Sequence, residues 1–193
     1  MDTVIEWTPK ARAVLAAADA LFYAHGIHAV GVDLIAERAG VTKKTLYGRF
    51  GSKERLVVEY LRARDHRWRA FLDPILAAAG EEPAERLRAV FDASARWAAE
   101  HSGKGCSMIN AHAEISDPAH PAYEVIVGQK TWMLRLFTDI AAGTTDPSAT
   151  ARGIMLLHEG ALVSDGMHTF DEAYAHACAV AVRLLALPIS SPV

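Results

Sequence analysis

Residues 32–50 read VDLIAERAGVTKKTLYGRF, and this stretch decides the fold. Val32, Ile35 and Ala36 recur three and four apart, which is one face of a short helix that stops at Gly40. Val41 fills the turn, and the hydroxyl of Thr42 stands where it can cap the exposed N–H of Lys44 or Thr45. A further helix from Lys43 to about Phe50 then buries Leu46 beside Ile35 and Val41. Ala36 is small where the neighbouring helix must approach, and Gly40 permits the turn conformation. Two short helices fixed across an Ala-Gly-Val-Thr turn make a helix-turn-helix, and its second helix presents Thr42, Lys43, Lys44, Thr45 and Tyr47, with Arg49, Lys53 and Arg55 behind them.

Upstream, Thr8 and Pro9 open a first helix in which Val14, Ala17, Ala18, Leu21 and Phe22 form one apolar stripe ending at His25-Gly26. Downstream, Ser52 caps a long fourth helix carrying Leu56, Val57, Tyr60, Leu61, Trp68, Phe71 and Leu72, which Pro74 is expected to kink or restart. Pro83 opens a fifth helix to about Glu100, followed by a loop at 101–105 and a short sixth helix over Cys106 to Ile115. A seventh runs from about His120 to Ala142. The last pair, Pro147 to about Asp165 and Asp171 to about Leu187, is rich in Ala, Leu, Ile and Val, with Gly153, Gly160, Ala175 and Ala179 among its small residues. These two helices can form one subunit's core or pair with their copies in a four-helix bundle. Period-two alternation is short wherever it occurs, so the fold class is all-α with about nine helices.

Charge divides the chain in the same place. Residues 1–70 carry 12 Lys and Arg against 8 Asp and Glu, whereas residues 71–193 carry 8 against 15, so the formal net charge of −3 conceals a basic first third. Neutralising phosphates and releasing their counterions drives non-specific DNA affinity, and only that third suits a polyanion. A major groove admits one helix, whose side chains read base edges while flanking groups hold phosphate. Lys43, Lys44 and Thr45 are therefore assigned to base edges or adjacent phosphate, and Thr42, Tyr47 and Lys53 to phosphate positioning. Gly48 presents no side chain to a base. One such helix covers few base pairs, and a two-fold homodimer on a palindromic duplex is the usual way to gain specificity.

The segment VDLIAERAGVTKKTLYGRFGSKERL resembles the DNA-binding domain of the tetracycline-repressor-like (TetR) transcriptional regulators: Ile35-Ala36, Ala39-Gly40-Val41, Thr45-Leu46-Tyr47, Phe50 and Ser52-Lys53 fall in register with that family's pattern. The likeness is looser beyond the first third, where GCSMINAHAEI over 105–115 resembles a segment of one broad subgroup. Two positions depart from the pattern. Gly31 replaces a frequent Ser or Thr cap, at a cost of about 1 kcal/mol or less, and Gly48 replaces a larger, often polar residue. The resemblance implies a three-helix reading head over 1–51 and a ligand-binding and dimerisation domain over 52–193. It also implies a homodimer formed by the last two helices, and repression relieved by a small-molecule effector held by the central helices.

Candidate effector contacts are the large apolar or inward polar residues of those helices: Trp68, Phe91, Trp97, Met108, His112, Trp132, Phe137, Met155 and His158, with Leu72 and His101 beside them. Each also fits core packing, and as a group they favour a mostly apolar ligand. His112 and His158 are expected in apolar surroundings, facing a ligand or a carboxylate such as Glu114 or Glu159. A shift of the fourth helix is the expected link from effector to reading head.

Other function classes find little in the sequence. The nine histidines include no pair three or four apart with a third ligand near, since His25 and His28 straddle the helix end at Gly26, so no metal and no cofactor are expected. No nucleophile elbow, phosphate loop or dinucleotide fingerprint occurs, which argues against an enzyme. Two cysteines make no disulfide framework, and small-hydrophobe packing explains Cys106 as well as a redox or electrophile sensor would. No secretory or membrane-spanning stretch is recognised, so the expectation is a cytoplasmic protein without a membrane partner. The alternative is a non-regulatory helical DNA-binding or ligand-binding protein, which would bind DNA blind to sequence and to small molecules.

Overall fold

The computed structural model describes residues 5–101 and 104–186; Ser102 and Gly103 of the expected loop and Leu187 of the expected last helix lie outside the described residues. Among the described residues the chain is all-α: α1 Pro9–His25, α2 Val32–Arg38, α3 Lys43–Phe50, α4 Lys53–Ala78, α5 Pro83–His101, α6 Ser107–Glu114, α7 Tyr123–Ile140, α8 Pro147–Gly166 and α9 Ala173–Ala186. They fall into two compact units, Met1–Asp65 with Ser107–Val127 and His66–Cys106 with Gly128–Val193. The short α6 thus groups with the N-terminal helices although it follows α5 in the chain.

In the first unit, α1 begins where the Thr8 side chain accepts the Ala11 N–H at 3.3 Å, with Pro9 in the first turn. Its buried stripe is Ala11, Val14, Ala17, Ala18 and Phe22. α2 packs on α1, and α3 on both. Gly40 has φ 64°, a left-handed conformation that costs glycine least, and Val41 N–H returns to the Ala36 carbonyl at 3.0 Å, closing the turn between α2 and α3. Ile35 and Leu46 are fully buried in the small core this makes. The Ser52 hydroxyl accepts the Arg55 N–H at 3.1 Å and starts α4.

α4 does not restart at Pro74: it is one helix from Lys53 to Ala78 with Pro74 inside it. Proline removes the N–H that would bond the Ala70 carbonyl. Ala70 and Pro74 are both exposed, and the helix continues through them.

The second unit holds the larger core. Trp68, Leu72, Leu87, Phe91, Phe137, Ile154 and Ala181 belong to one continuous buried cluster. α8 packs along α9, and α5 against both. Gly153 permits that approach, because a Cβ there would stand 3.0 Å from Leu184 Cδ1. α8 is capped by Asp146, whose carboxylate accepts the Ala149 N–H at 2.9 Å. Its other face leaves Leu156, Val163 and Met167 exposed, with Phe170 following in the next turn.

Candidate nucleic-acid interface and the buried polar cluster

The exposed face of α3 follows from its cap and its core. Thr42 accepts the Thr45 N–H at 3.1 Å, and the two hydroxyls lie 2.9 Å apart. Leu46 and Phe50 turn inward. Thr42, Lys43, Lys44 and Tyr47 are left exposed and Thr45 half-buried. Helix periodicity puts these residues on one side because the buried pair lies four apart. Lys43 Nζ pairs with Asp33 of α2 at 3.0 Å. The hydrogen bond to that carboxylate, and then its charge, raise the Lys43 pKa above the usual lysine value and keep it cationic. Lys53 is half-buried, with Nζ 5.9 Å from the Phe22 ring centre, a short way behind the face on the first turn of α4.

Two supports of this face are absent from the sequence reading. The segment before α1 braces the end of α3: Arg49 donates to Glu6 at 2.6 Å, and Trp7 meets Phe50 edge-on at 6.2 Å. The second is Glu114, the last residue of α6. Its carboxylate accepts the backbone N–H of Ile27 at 2.8 Å and of His28 at 2.6 Å. These contacts span more than 80 residues, and no local periodicity announces them. Beside them lies an open cleft of about 450 Å³ lined by His28, Glu114, Asp117 and His120.

The candidate effector residues separate between the units. Trp68, Phe91, Trp97, Trp132, Phe137, Met155 and His158 belong to the second unit, whereas Met108 and His112 sit in the first. His112 is exposed rather than set in apolar surroundings, with its ring 6.0 Å from that of Tyr123, and Glu114 turns to the α1–α2 turn instead. In the second unit Trp68 meets Trp97 at 5.7 Å, and Arg69 lies over Trp132 at 4.2 Å. Leu72 is fully buried, and His101 stacks on Trp97 at 4.2 Å.

His158 is buried as expected, between Phe91 and Phe137, each with its ring centre 5.5 Å away. Its Nε2 lies 2.8 Å from the Ser94 hydroxyl, which donates to the Val90 carbonyl at 2.8 Å. One hydroxyl has one proton, so the network assigns the imidazole proton to Nε2. The other nitrogen, Nδ1, is 3.7 Å from Glu159 Oε1, beyond hydrogen-bond reach. Burial lowers the His158 pKa and keeps the ring neutral. Lys130 binds both Glu159 oxygens at 2.8 and 2.9 Å and donates to Cys106 Sγ at 3.4 Å. Burial pulls the Lys130 pKa down, but Cys106 and Glu159 outweigh it and hold the ammonium charged. Burial likewise pushes Glu159 up, yet its pKa lies below the usual carboxylate value, and the Lys130 ammonium on both of its oxygens keeps it ionised. Among the described residues no group of three His, Cys, Asp or Glu could hold a metal ion, and no helix is long and apolar enough to cross a membrane.

The family pattern described as bacterial regulatory proteins, tetR family, matches residues 14–60, which contain the whole helix-turn-helix. A TetR-family transcriptional regulator of Streptomyces coelicolor superimposes with a TM-score of 0.86 at 29% identity, covering 93% of this chain and 91% of that one. Residues 14–60 match the tetR-family pattern, and the fold of the chain resembles that of TetR-type regulators. A second TetR-type regulator, from Streptomyces avermitilis, matches the chain with a TM-score of 0.75 at 29% identity over 90% of this chain and 98% of the other. The HTH-type transcriptional activator FasR of Mycolicibacterium smegmatis is 32% identical over 105 residues, which is 54% of this chain. That match spans 47% of FasR, about half its length. The helix-turn-helix is thus the part of the chain that is similar to bacterial regulatory proteins of the tetR family.

Proposed function

We propose that this protein is a homodimeric, sequence-specific repressor of the TetR type that a small, mostly apolar effector releases from a palindromic operator. The observation that carries the DNA half is the outward face Thr42–Tyr47, held by the Thr42 cap and the inward Leu46 and Phe50. Residues 1–51 read DNA in this proposal, and residues 52–193 bind the effector and dimerise. The exposed Leu156, Val163 and Met167, with small exposed Gly160, Ala175 and Ala179, supply a face that a second α8–α9 pair can cover. Trp68, Phe91, Trp97, Trp132, Phe137, Met155 and His158 supply apolar walls with one buried polar anchor for the effector. Met108 and His112 remain candidate contacts on α6. The unbroken α4 is a stiff element able to carry a displacement from effector to head.

Duplexes selected from a random pool, with and without candidate effectors, test this reading. A palindromic winner released by one compound is the expected result, and sequence-blind binding would sink it. The paired substitution Lys44→Ala, Tyr47→Ala is expected to abolish binding to the winner while leaving the dimer mass unchanged. The name of the Mycolicibacterium relative supports a second reading, activation, and a reporter placed behind the selected duplex separates the two by the sign of its response.

A further inference from the structure

We infer that Glu114, at the end of α6, is a positioning residue for DNA binding: its carboxylate fixes the turn from which α2, and through it α3, is hung. It accepts two adjacent backbone N–H groups, Ile27 at 2.8 Å and His28 at 2.6 Å, within the range of charge-assisted hydrogen bonds. The turn is shaped to receive it. Gly26 has φ 89°, a conformation side chains rarely adopt, and a Cβ on it would stand 3.1 Å from Glu114 Oε1. His28 Nδ1 approaches the same carboxylate at 3.3 Å. The side chains of Ile27 and Val30 in the same turn are buried, so the turn cannot rotate without uncovering them.

The consequence reaches α3 because α2 has little stability of its own. It is seven residues long, too short to persist alone, and Gly31 gives it no side-chain cap. Its direction is therefore set by what holds its ends, which are the Glu114-bound turn before it and the Gly40 turn after it. Asp33 of α2 also holds Lys43 of the DNA face. Freed from the carboxylate, Ile27 and His28 lose their acceptor and α2 loses its fixed entry. The lysines that attract phosphate keep their charge and their exposure. Positioning and attraction thus depend on different residues, and an experiment can separate them.

The inference rests on the DNA-binding reading and is tested on the full chain with Glu114→Ala and the isosteric Glu114→Gln, which serves if the first variant fails to fold. Affinity is measured for the duplex that the wild type selects from a random pool and for a random-sequence duplex of equal length. Glu114→Ala is expected to bind the selected duplex about tenfold more weakly and the random duplex within about twofold of wild type. Glu114→Gln, which keeps one acceptor oxygen, is expected between the two. Unchanged affinity for both duplexes overturns the inference. So does an equal loss for both together with lost helix signal in both variants, which would make Glu114 a merely structural residue. Backbone amide shifts of the same variants judge the clamp even if the wild type selects no duplex, a result that would fell only the operator reading. The expected changes spread from residues 26–28 through α2 to α3, and changes confined to 26–28 overturn the inference.

Discussion

The two units differ in what the polar side chains that set their candidate sites do. In the first, they satisfy backbone: Thr8, Thr42 and Ser52 cap helices, and Glu114 holds the α1–α2 turn. In the second, side chains pair with one another, the buried Ser94 with His158 and the half-buried Lys130 with Glu159 and Cys106. The first arrangement fixes where a short helix points, which is what a DNA-reading surface requires. The second packs a neutral imidazole between two aromatic rings and sets an ion pair at the neighbouring position of α8. Geometry is the product of one unit and interior chemistry that of the other.

The sharpest way to break that comparison is to damage each core by a similar amount. Leu46→Ala and Phe137→Ala both truncate fully buried side chains. Each should cost about 3 kcal/mol of stability, measured by denaturant unfolding. At a temperature where both variants remain folded, Leu46→Ala should lose affinity for the selected duplex and Phe137→Ala should retain it. Equal loss in both would mean that the reading surface draws on the whole chain rather than on its own small core.

Legibility from sequence follows the same line. α1, α2 and α3 start and stop where Thr8, Pro9, Gly26, Gly40 and Thr42 place them, because capping and left-handed turns are decided by residues within four positions of one another. The outward set Thr42–Tyr47 was readable for that reason. Glu114 was not, since its partners lie 86 and 87 residues away and a glutamate ending a short helix has the same local signature whether solvated or bound to backbone. His112 failed in the opposite sense: its apolar neighbours in sequence, Ala111 and Ala113, say nothing of which side of α6 faces solvent. Of the two outcomes expected at Pro74, a kink or a restart, the restart does not occur, because a proline inside a helix removes one backbone bond and leaves the rest to carry the helix on. The second unit's helices were legible as helices, but the pairs Ser94–His158 and Lys130–Glu159 are made by packing between α5, α7 and α8 and have no sequence pattern.

A smaller effect sharpens the second half of the comparison. Burial keeps the His158 pKa below its unfolded value, so between those two values the unfolded chain binds a proton that the folded chain refuses. Its neutral burial therefore contributes stability above about pH 6.5 that is lost as pH falls toward the folded pKa. For one proton the slope cannot exceed about 1.4 kcal/mol per pH unit. Glu159 and Lys130 face the ring and remain charged through this window. Thermal midpoints of wild type and His158→Gln, read from pH 5 to 8, should converge toward the acid end, with the wild type gaining more as pH rises. Parallel curves would show that another histidine carries the acid sensitivity, and that the buried ring adds nothing to it.

The smallest expected effect lies on the reading surface itself. Asp33 and Lys43 are both well exposed, so their ion pair at 3.0 Å is solvent-screened and adds little to stability. Asp33 is also the acidic residue in the first turn of α2, where a carboxylate favours the positive end of the helix. Asp33→Asn should leave the thermal midpoint close to that of the wild type, since the amide oxygen can still accept from Lys43. DNA binding should respond differently, because the carboxylate both competes with phosphate for Lys43 and repels the duplex. Affinity at low salt should rise about twofold and the gain should fade as salt is added, because screening removes repulsion before it removes contacts. A loss of affinity would reverse the role of the pair: Asp33 would then be aiming Lys43 at the groove, and the reading surface would contain a residue that works by position in the way Glu114 is inferred to do.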